Sequence, residues 1–165
     1  MAEKLIPITL KVNGREYKVE VKPNETLLFV LRNKLNIKSV KGTCYRGECG
    51  VCTVLLNGKP VKSCLVLAVE ADGAEIITLE GLAPFGTLAP IQKAFIEHGA
   101  FQCGFCTPGF ILTAHWLLTN NPDATEEEIK EALSGLICRC TGYRQIIDAI
   151  KAAAKYYKQD KQGGK

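Results

Sequence analysis

Eight cysteines in 165 residues are the residues most able to do chemistry, and they fall into two groups of four. Cys44, Cys49, Cys52 and Cys64 form the first, and Cys103, Cys106, Cys138 and Cys140 the second, with none between Cys64 and Cys103. Such a count admits disulfides, zinc or an iron–sulfur centre. Disulfides belong to oxidising compartments and are spread to staple a fold. The N-terminal MAEKLIPITL has no basic stretch followed by a long apolar one, so no secretory signal is expected and the cytoplasm is the expected location. Two sets of four thiols are what two tetrathiolate metal sites require.

Spacing separates the metals. The first set reads C-x4-C-x2-C, with eleven residues between the third cysteine and the fourth. Structural zinc usually takes two paired knuckles, whereas three ligands in one loop plus one from afar is the plant-type ferredoxin arrangement for a 2Fe–2S cluster. A binuclear cluster is larger than one ion, so a single loop must wrap it. Gly42, Gly47 and Gly50 punctuate that loop. They admit positive φ and let backbone amides approach the sulfurs. The second set, C-x2-C and then C-x-C after thirty-one residues, is compatible with either zinc or iron by spacing alone.

The elements that must hold these loops change character half-way. Ile8, Leu10 and Val12 alternate, Asn13-Gly14 supplies a type I′ turn, and Tyr17, Val19 and Val21 alternate on the return. A short helix follows, capped by Thr26 and burying Leu27, Val30, Leu31 and Leu35. Past the cysteine loop, Val54 and Leu56 lead into Asn57-Gly58 and back through Val61 and Ser63 to Cys64, with a further strand pair expected near 65–69 and 76–79. The run GLAPFGTLAP, residues 81–90, reads as a linker. Helical spacing then takes over. One helix is expected from a Thr87 cap to His98, a second from Thr107-Pro108, a third behind the Thr125/Glu128 capping box, and a fourth from Arg144 carrying Ile146, Ile147, Ile150 and Ala153. The expected fold class is α+β: a β-grasp unit over 1–82, a four-helix bundle over 83–160, and a tail at 161–165. Units of about eighty residues have little core to spare, and a metal centre in each would help hold them together.

The remaining composition excludes more than it offers. Hydrophobic residues make up 47% and charged residues 23%, a globular balance, and the net charge of +4 is too mild for a nucleic-acid stripe. No apolar run approaches the roughly 20 residues that span a bilayer. His98 sits at a helix C-terminus and His115 on a helix, where capping and packing are the ordinary roles. Trp116 and Tyr143 read as core or contact aromatics. Lys151, Lys155, Lys158, Lys161 and Lys165 read as a solvated helix face. No nucleophile–base pair, phosphate loop or paired-carboxylate site is present.

The segments CYRGECGVCTV (44–54), QCGFCTPGF (102–110) and CRCTGY (138–143) stand in an order that resembles the molybdenum hydroxylases, the xanthine oxidase family. The chain as a whole, up to about Tyr157, resembles their free-standing small iron–sulfur subunit, of the aldehyde oxidoreductase or carbon monoxide dehydrogenase type. The resemblance implies two 2Fe–2S clusters, the second held by Cys103, Cys106, Cys138 and Cys140. It implies a large molybdopterin-binding subunit that does the substrate chemistry and a medium FAD-binding subunit, with electrons passing from molybdenum through the helical-domain cluster and then the ferredoxin-like one to flavin. Gln102 and Cys140 match positions that lie against the pterin. Tyr45-Arg46 and Ile137 depart from the common pattern without removing a ligand. Aldehydes are the favoured substrate class, with carbon monoxide, purines and aromatic N-heterocycles as alternatives. A free two-cluster ferredoxin is the rival reading, and a zinc-stabilised module the other.

Overall fold

The computed structural model describes residues 4–163, with side chains described through residue 159. The two alternating segments form β1 (Ile6–Val12) and β2 (Arg15–Val21), an antiparallel hairpin with Leu10 opposite Tyr17. Its turn has Asn13 and Gly14 at φ 52° and 76°, the left-handed pair that a type I′ turn needs. The second hairpin joins β3 (Thr53–Leu56) to β4 (Lys59–Lys62) through Asn57 and Gly58, at φ 47° and 77°. With β5 (Glu75–Ile77) the sheet runs β2-β1-β5-β3-β4, and only the β1–β5 pairing is parallel. Both turn asparagines also dock onto the central strand and its exit. Asn57 Oδ1 accepts from the Glu75 amide at 2.9 Å, and Asn13 Oδ1 from the Thr78 amide at 2.9 Å.

The short helix crossing this sheet is α1 (Leu27–Phe29), capped as expected by Thr26 Oγ1 on the Phe29 amide, and it runs directly into a π-helical turn at Val30–Lys34. Leu27, Val30 and Leu31 are fully buried against Leu10, Val54 and Ile76. The strand expected at 65–69 does not form. Leu67 makes only an isolated bridge to Thr26, and Ala68–Ala71 close a 3-10 turn. The backbone there finds partners away from the strands: Glu70 accepts from the Leu67 amide, and the Ala68 amide donates to Glu25 O at 2.8 Å. The second partner of that expected pair does form, as β5.

Four helices follow: α2 (Pro90–Glu97), α3 (Thr107–Asn120), α4 (Glu126–Leu133) and α5 (Arg144–Gly163). They pack around Ile91, Phe95, Phe110, Leu118, Ile129, Ile146 and Ile150. Burying each such side chain stabilises the fold by roughly 1.5–3 kcal/mol. The first helix begins at Pro90 rather than behind Thr87, because the Thr87 hydroxyl is turned back onto Pro84 O and proline takes the first helical position. The Thr125/Glu128 capping box forms as expected. Gly164 and Lys165, at the end of the expected tail, lie outside the described residues.

Two hydrophobic cores result, one under the sheet and one among the helices. Val51, inside the first cysteine loop, is buried in the helical core, so that loop belongs to both. Among the described residues no helix is long and apolar enough to cross a membrane.

Candidate functional site

The first cysteine set is built by the sheet and by α1. Arg32, on the π-helical turn, donates to Lys38 O at 3.0 Å and Val40 O at 2.9 Å, which pins the chain entering the cysteine loop. The exit is fixed by β3 and β4. Ser63 is fully buried and its hydroxyl donates to Cys52 O at 2.7 Å, so the Cys64 end of β4 lies against Cys52. Within the loop, Gly47 and Gly50 take φ of 82° and 72°, and the amides turn inward.

Those amides converge on sulfur. The Cys49 amide reaches Cys44 Sγ at 3.4 Å. Hydrogen bonds from the Arg46 and Cys49 amides hold the Cys44 thiol down to about 6, so it favours the thiolate. Burial, together with the neighbouring Cys52 thiol, pushes Cys64 up to about 11. The four thiols fall into contacting pairs, Cys44 with Cys49 and Cys52 with Cys64.

The second set sits where two helices begin. Cys103 and Cys106 precede α3, and Cys138 and Cys140 precede α5. Both N-termini carry the positive ends of their helix dipoles. Cys140 Sγ lies 3.6 Å from Cys103 Sγ, both exposed, while Cys106 and Cys138 are buried and in contact beneath them. Burial pushes Cys106 up to about 12. Burial would also raise Cys138, but the Thr141 hydroxyl, 3.0 Å from its sulfur, and the Thr141 amide at 3.4 Å outweigh it and the thiol is lowered. Tyr143, at φ 70°, accepts from the Cys138 amide at 3.0 Å and donates to Leu136 O. Gln102 is exposed beside Cys103.

The eight expected cysteines are thus gathered into their two sets. Among the described residues, no group of three or more His, Cys, Asp or Glu side chains is drawn tightly enough to hold one metal ion. The thiols approach by twos, which suits a binuclear centre in which each iron takes two thiolates. Amides and a hydroxyl directed at sulfur favour a thiolate-bound, anionic cluster. The donor set and its surroundings therefore fit 2Fe–2S clusters.

The two sets also touch. The Ile137 amide, next to Cys138, donates to Cys49 O at 3.0 Å. Close by, Lys62 donates to Gly135 O at 2.7 Å. A Cβ at Gly50 would strike Gly135 O and Leu136, and one at Gly109 would lie 2.8 Å from Gly50 O, so the contact requires glycine at both places.

Sequence reasoning missed Thr141, Tyr143 and Lys62 as supporting residues. Thr141 was legible in principle, as a hydroxyl three positions from a ligand candidate. Lys62, whose partner lies 73 residues away, was not. His115, in contrast, packs as expected, its Nδ1 2.8 Å from the Tyr157 hydroxyl. Lys151 and Lys158 pair with Glu126 and Asp123 of the same chain. Lys161 and Lys165 lie outside the residues whose side chains are described.

Comparison with known proteins decides between the metals. A 2Fe-2S iron-sulfur cluster binding domain matches residues 10–81, and a [2Fe-2S] binding domain matches residues 78–151. The nicotinate dehydrogenase small FeS subunit of Eubacterium barkeri is 51% identical over 91% of this chain and 96% of its own length. The chain belongs to the small iron–sulfur subunits of the molybdenum hydroxylases. The aldehyde oxidoreductase iron-sulfur-binding subunit PaoA of Escherichia coli strain K12 is 44% identical over 93% of this chain and 73% of its own. Quinoline 2-oxidoreductase from Pseudomonas putida 86 superimposes with a TM-score of 0.90 at 42% identity, covering 94% of this chain and 97% of the matched one. In the aldehyde oxidoreductase of Desulfovibrio desulfuricans the same fold, at a TM-score of 0.87, occupies 17% of a longer chain. This member of the molybdenum hydroxylase family carries two 2Fe–2S domains and is an electron-transfer subunit of an oxidoreductase.

Proposed function

We propose that Cys44, Cys49, Cys52 and Cys64 hold one 2Fe–2S cluster on a ferredoxin-like β-grasp unit (residues 1–82). Cys103, Cys106, Cys138 and Cys140 hold the other on a four-helix unit (83–160). A 2Fe–2S cluster, when bound, takes up and releases one electron at a time. The protein's part is to solvate its charge with amides, to bring the two sites together and to leave one edge of each open. Cys103 and Cys140 are exposed beside Gln102, and that edge faces a large molybdopterin-binding subunit, with Gln102 and Cys140 against the pterin. Tyr45, 64% exposed, and Leu65, 61% exposed, border the other site, where electrons leave for a medium FAD-binding subunit. Between the sites, the Ile137 amide on Cys49 O supplies a short bonded route that crosses one hydrogen bond. This bridge is the observation that carries the reading, since a chain with two independent stapling metals has no need of it. A cytoplasmic location belongs to the same reading, supported by eight thiols arranged as ligands.

Aldehydes and N-heteroaromatic compounds are the two substrate classes this subunit serves. Its relatives named for nicotinate and nicotine reach 51% and 49% identity, and the aldehyde oxidoreductase subunit 44%. Reductive titration of the purified complex tests the electron-transfer role. This chain should account for two electrons and about four iron atoms. Gln102→Ala should keep the iron and slow reduction of the clusters by substrate. A variant that is reduced at the normal rate contradicts the role given to Gln102.

A further inference from the structure

The ammonium of Lys62 occupies an unusual position. It leaves the last residue of β4 and ends at the seam between the two cysteine sets, 2.7 Å from Gly135 O. Gly50, between Cys49 and Cys52, lies against it closely enough that a Cβ there would be 3.0 Å from Nζ. A Cβ on Gly135, three residues before Cys138, would be 3.1 Å away. Both glycines leave room for the charge. Lys62 is half-buried, and no carboxylate lies within ion-pair distance of it among the described residues. An ammonium taken partly out of water and offered a single carbonyl is short of negative charge.

The missing negative charge is the clusters'. Two ferric ions, two sulfides and four thiolates sum to −2, and one-electron reduction makes −3. Resting on the assignment of the two cysteine sets to 2Fe–2S clusters, we propose that Lys62 is the shared counter-charge of both, placed at their seam so that it favours the reduced state of each. It also clamps the seam through Gly135 O. A positive charge shared by donor and acceptor stabilises the electron on either side and leaves the driving force between them little changed. The two roles are separable: a neutral donor keeps the clamp but loses the charge.

The test is a potentiometric titration of the purified complex, followed by electron paramagnetic resonance. Lys62→Arg keeps charge and donor, Lys62→Gln keeps a donor only, and Lys62→Met keeps only the apolar stem. A unit charge on the order of 10 Å from a redox centre, at an effective dielectric near 20, changes its reduction constant about tenfold. Both midpoints should therefore move to more negative potential by about that factor in the Gln and Met variants and stay near wild type in Arg. Iron lost from both neutral variants but retained in Arg expresses the same requirement for charge. Midpoints unchanged in either neutral variant at full iron content overturn the proposal, as does iron loss shared by the Arg variant. A wild-type complex without two distinct cluster signals would instead remove the cluster assignment on which it rests.

Discussion

Neighbouring cysteine sulfurs in the helical set sit in different surroundings, one met by hydrogen-bond donors and the other by burial. The Thr141 hydroxyl and amide both point at Cys138 Sγ, while Cys106 beside it is raised to about 12 by burial. Donors to a ligand sulfur stabilise the more negative, reduced cluster. Thr141→Val should therefore move the midpoint of one cluster to more negative potential, leave the other in place and retain iron, as read by potentiometric titration. Equal shifts in both clusters would show that Thr141 acts through the fold as a whole rather than on Cys138. At this scale the grouping of the eight cysteines into two sets of four was legible in the sequence, and spacing pointed to a 2Fe–2S cluster for the first set alone. Thr141 could have been read as a hydroxyl three positions from Cys138, whereas the Tyr143 and Lys62 contacts could not, since each depends on how the chain folds back rather than on residue type.

The same distinction holds for the elements. The two hairpins were readable because Asn-Gly at φ near 50° and 75° is a local requirement, and the α4 capping box because its partners are three residues apart. The missing strand at 65–69 and the late start of α2 turned on contacts with Glu25 and Pro84 that periodicity does not encode. The glycines show what local and non-local constraint each cost. Gly58 is at φ 77° with open space around its Cα, so Gly58→Ala should lose only about 1 kcal/mol, the cost of a left-handed alanine. Gly50→Ala adds a collision with Gly135 and Leu136 to the same strain, and should lose clearly more in chemical denaturation. Equal losses at the two positions would mean that the seam is slack.

Glu80 tests how the end of the sheet is held to the first cysteine loop. Its carboxylate accepts from the Ser39 amide at 3.1 Å, the Ser39 hydroxyl at 2.5 Å and the Thr78 hydroxyl at 2.6 Å, tying the end of the sheet to the segment before the first cysteine loop. Burial alone would raise its pKa, but these donors prevail and hold it below the usual 4.5. A carboxylate with a depressed folded pKa stabilises the protein above its unfolded value, and that contribution disappears as pH falls through the folded one. Glu80→Ala should thus lower stability at pH 7, and the gap to wild type should narrow below pH 4.5. A gap that does not change with pH would assign the loss to packing instead.

For the whole molecule, the arrangement is two cores sharing one seam. The first cysteine loop sends Val51 into the helical core and takes a hydrogen bond from Ile137, so the two sites are held in register by backbone rather than by flexible side chains alone. One cysteine pair of the helical unit is exposed beside Gln102, and apolar side chains border the other site. The division of the chain into a strand-rich and a helix-rich half could be read from the change of period. The seam between them could not, because it is made of glycines, carbonyls and one lysine whose partners are remote in sequence.

The most direct test of this account is to isolate the native complex through a tag on this chain and count iron, zinc and molybdenum in the same sample. The account predicts about four iron atoms per copy of the chain, molybdenum in roughly equal amount to the chain, and only traces of zinc. Iron without molybdenum or partner subunits would contradict membership of a molybdenum hydroxylase complex and leave a free ferredoxin. Zinc in place of iron would contradict electron transfer altogether.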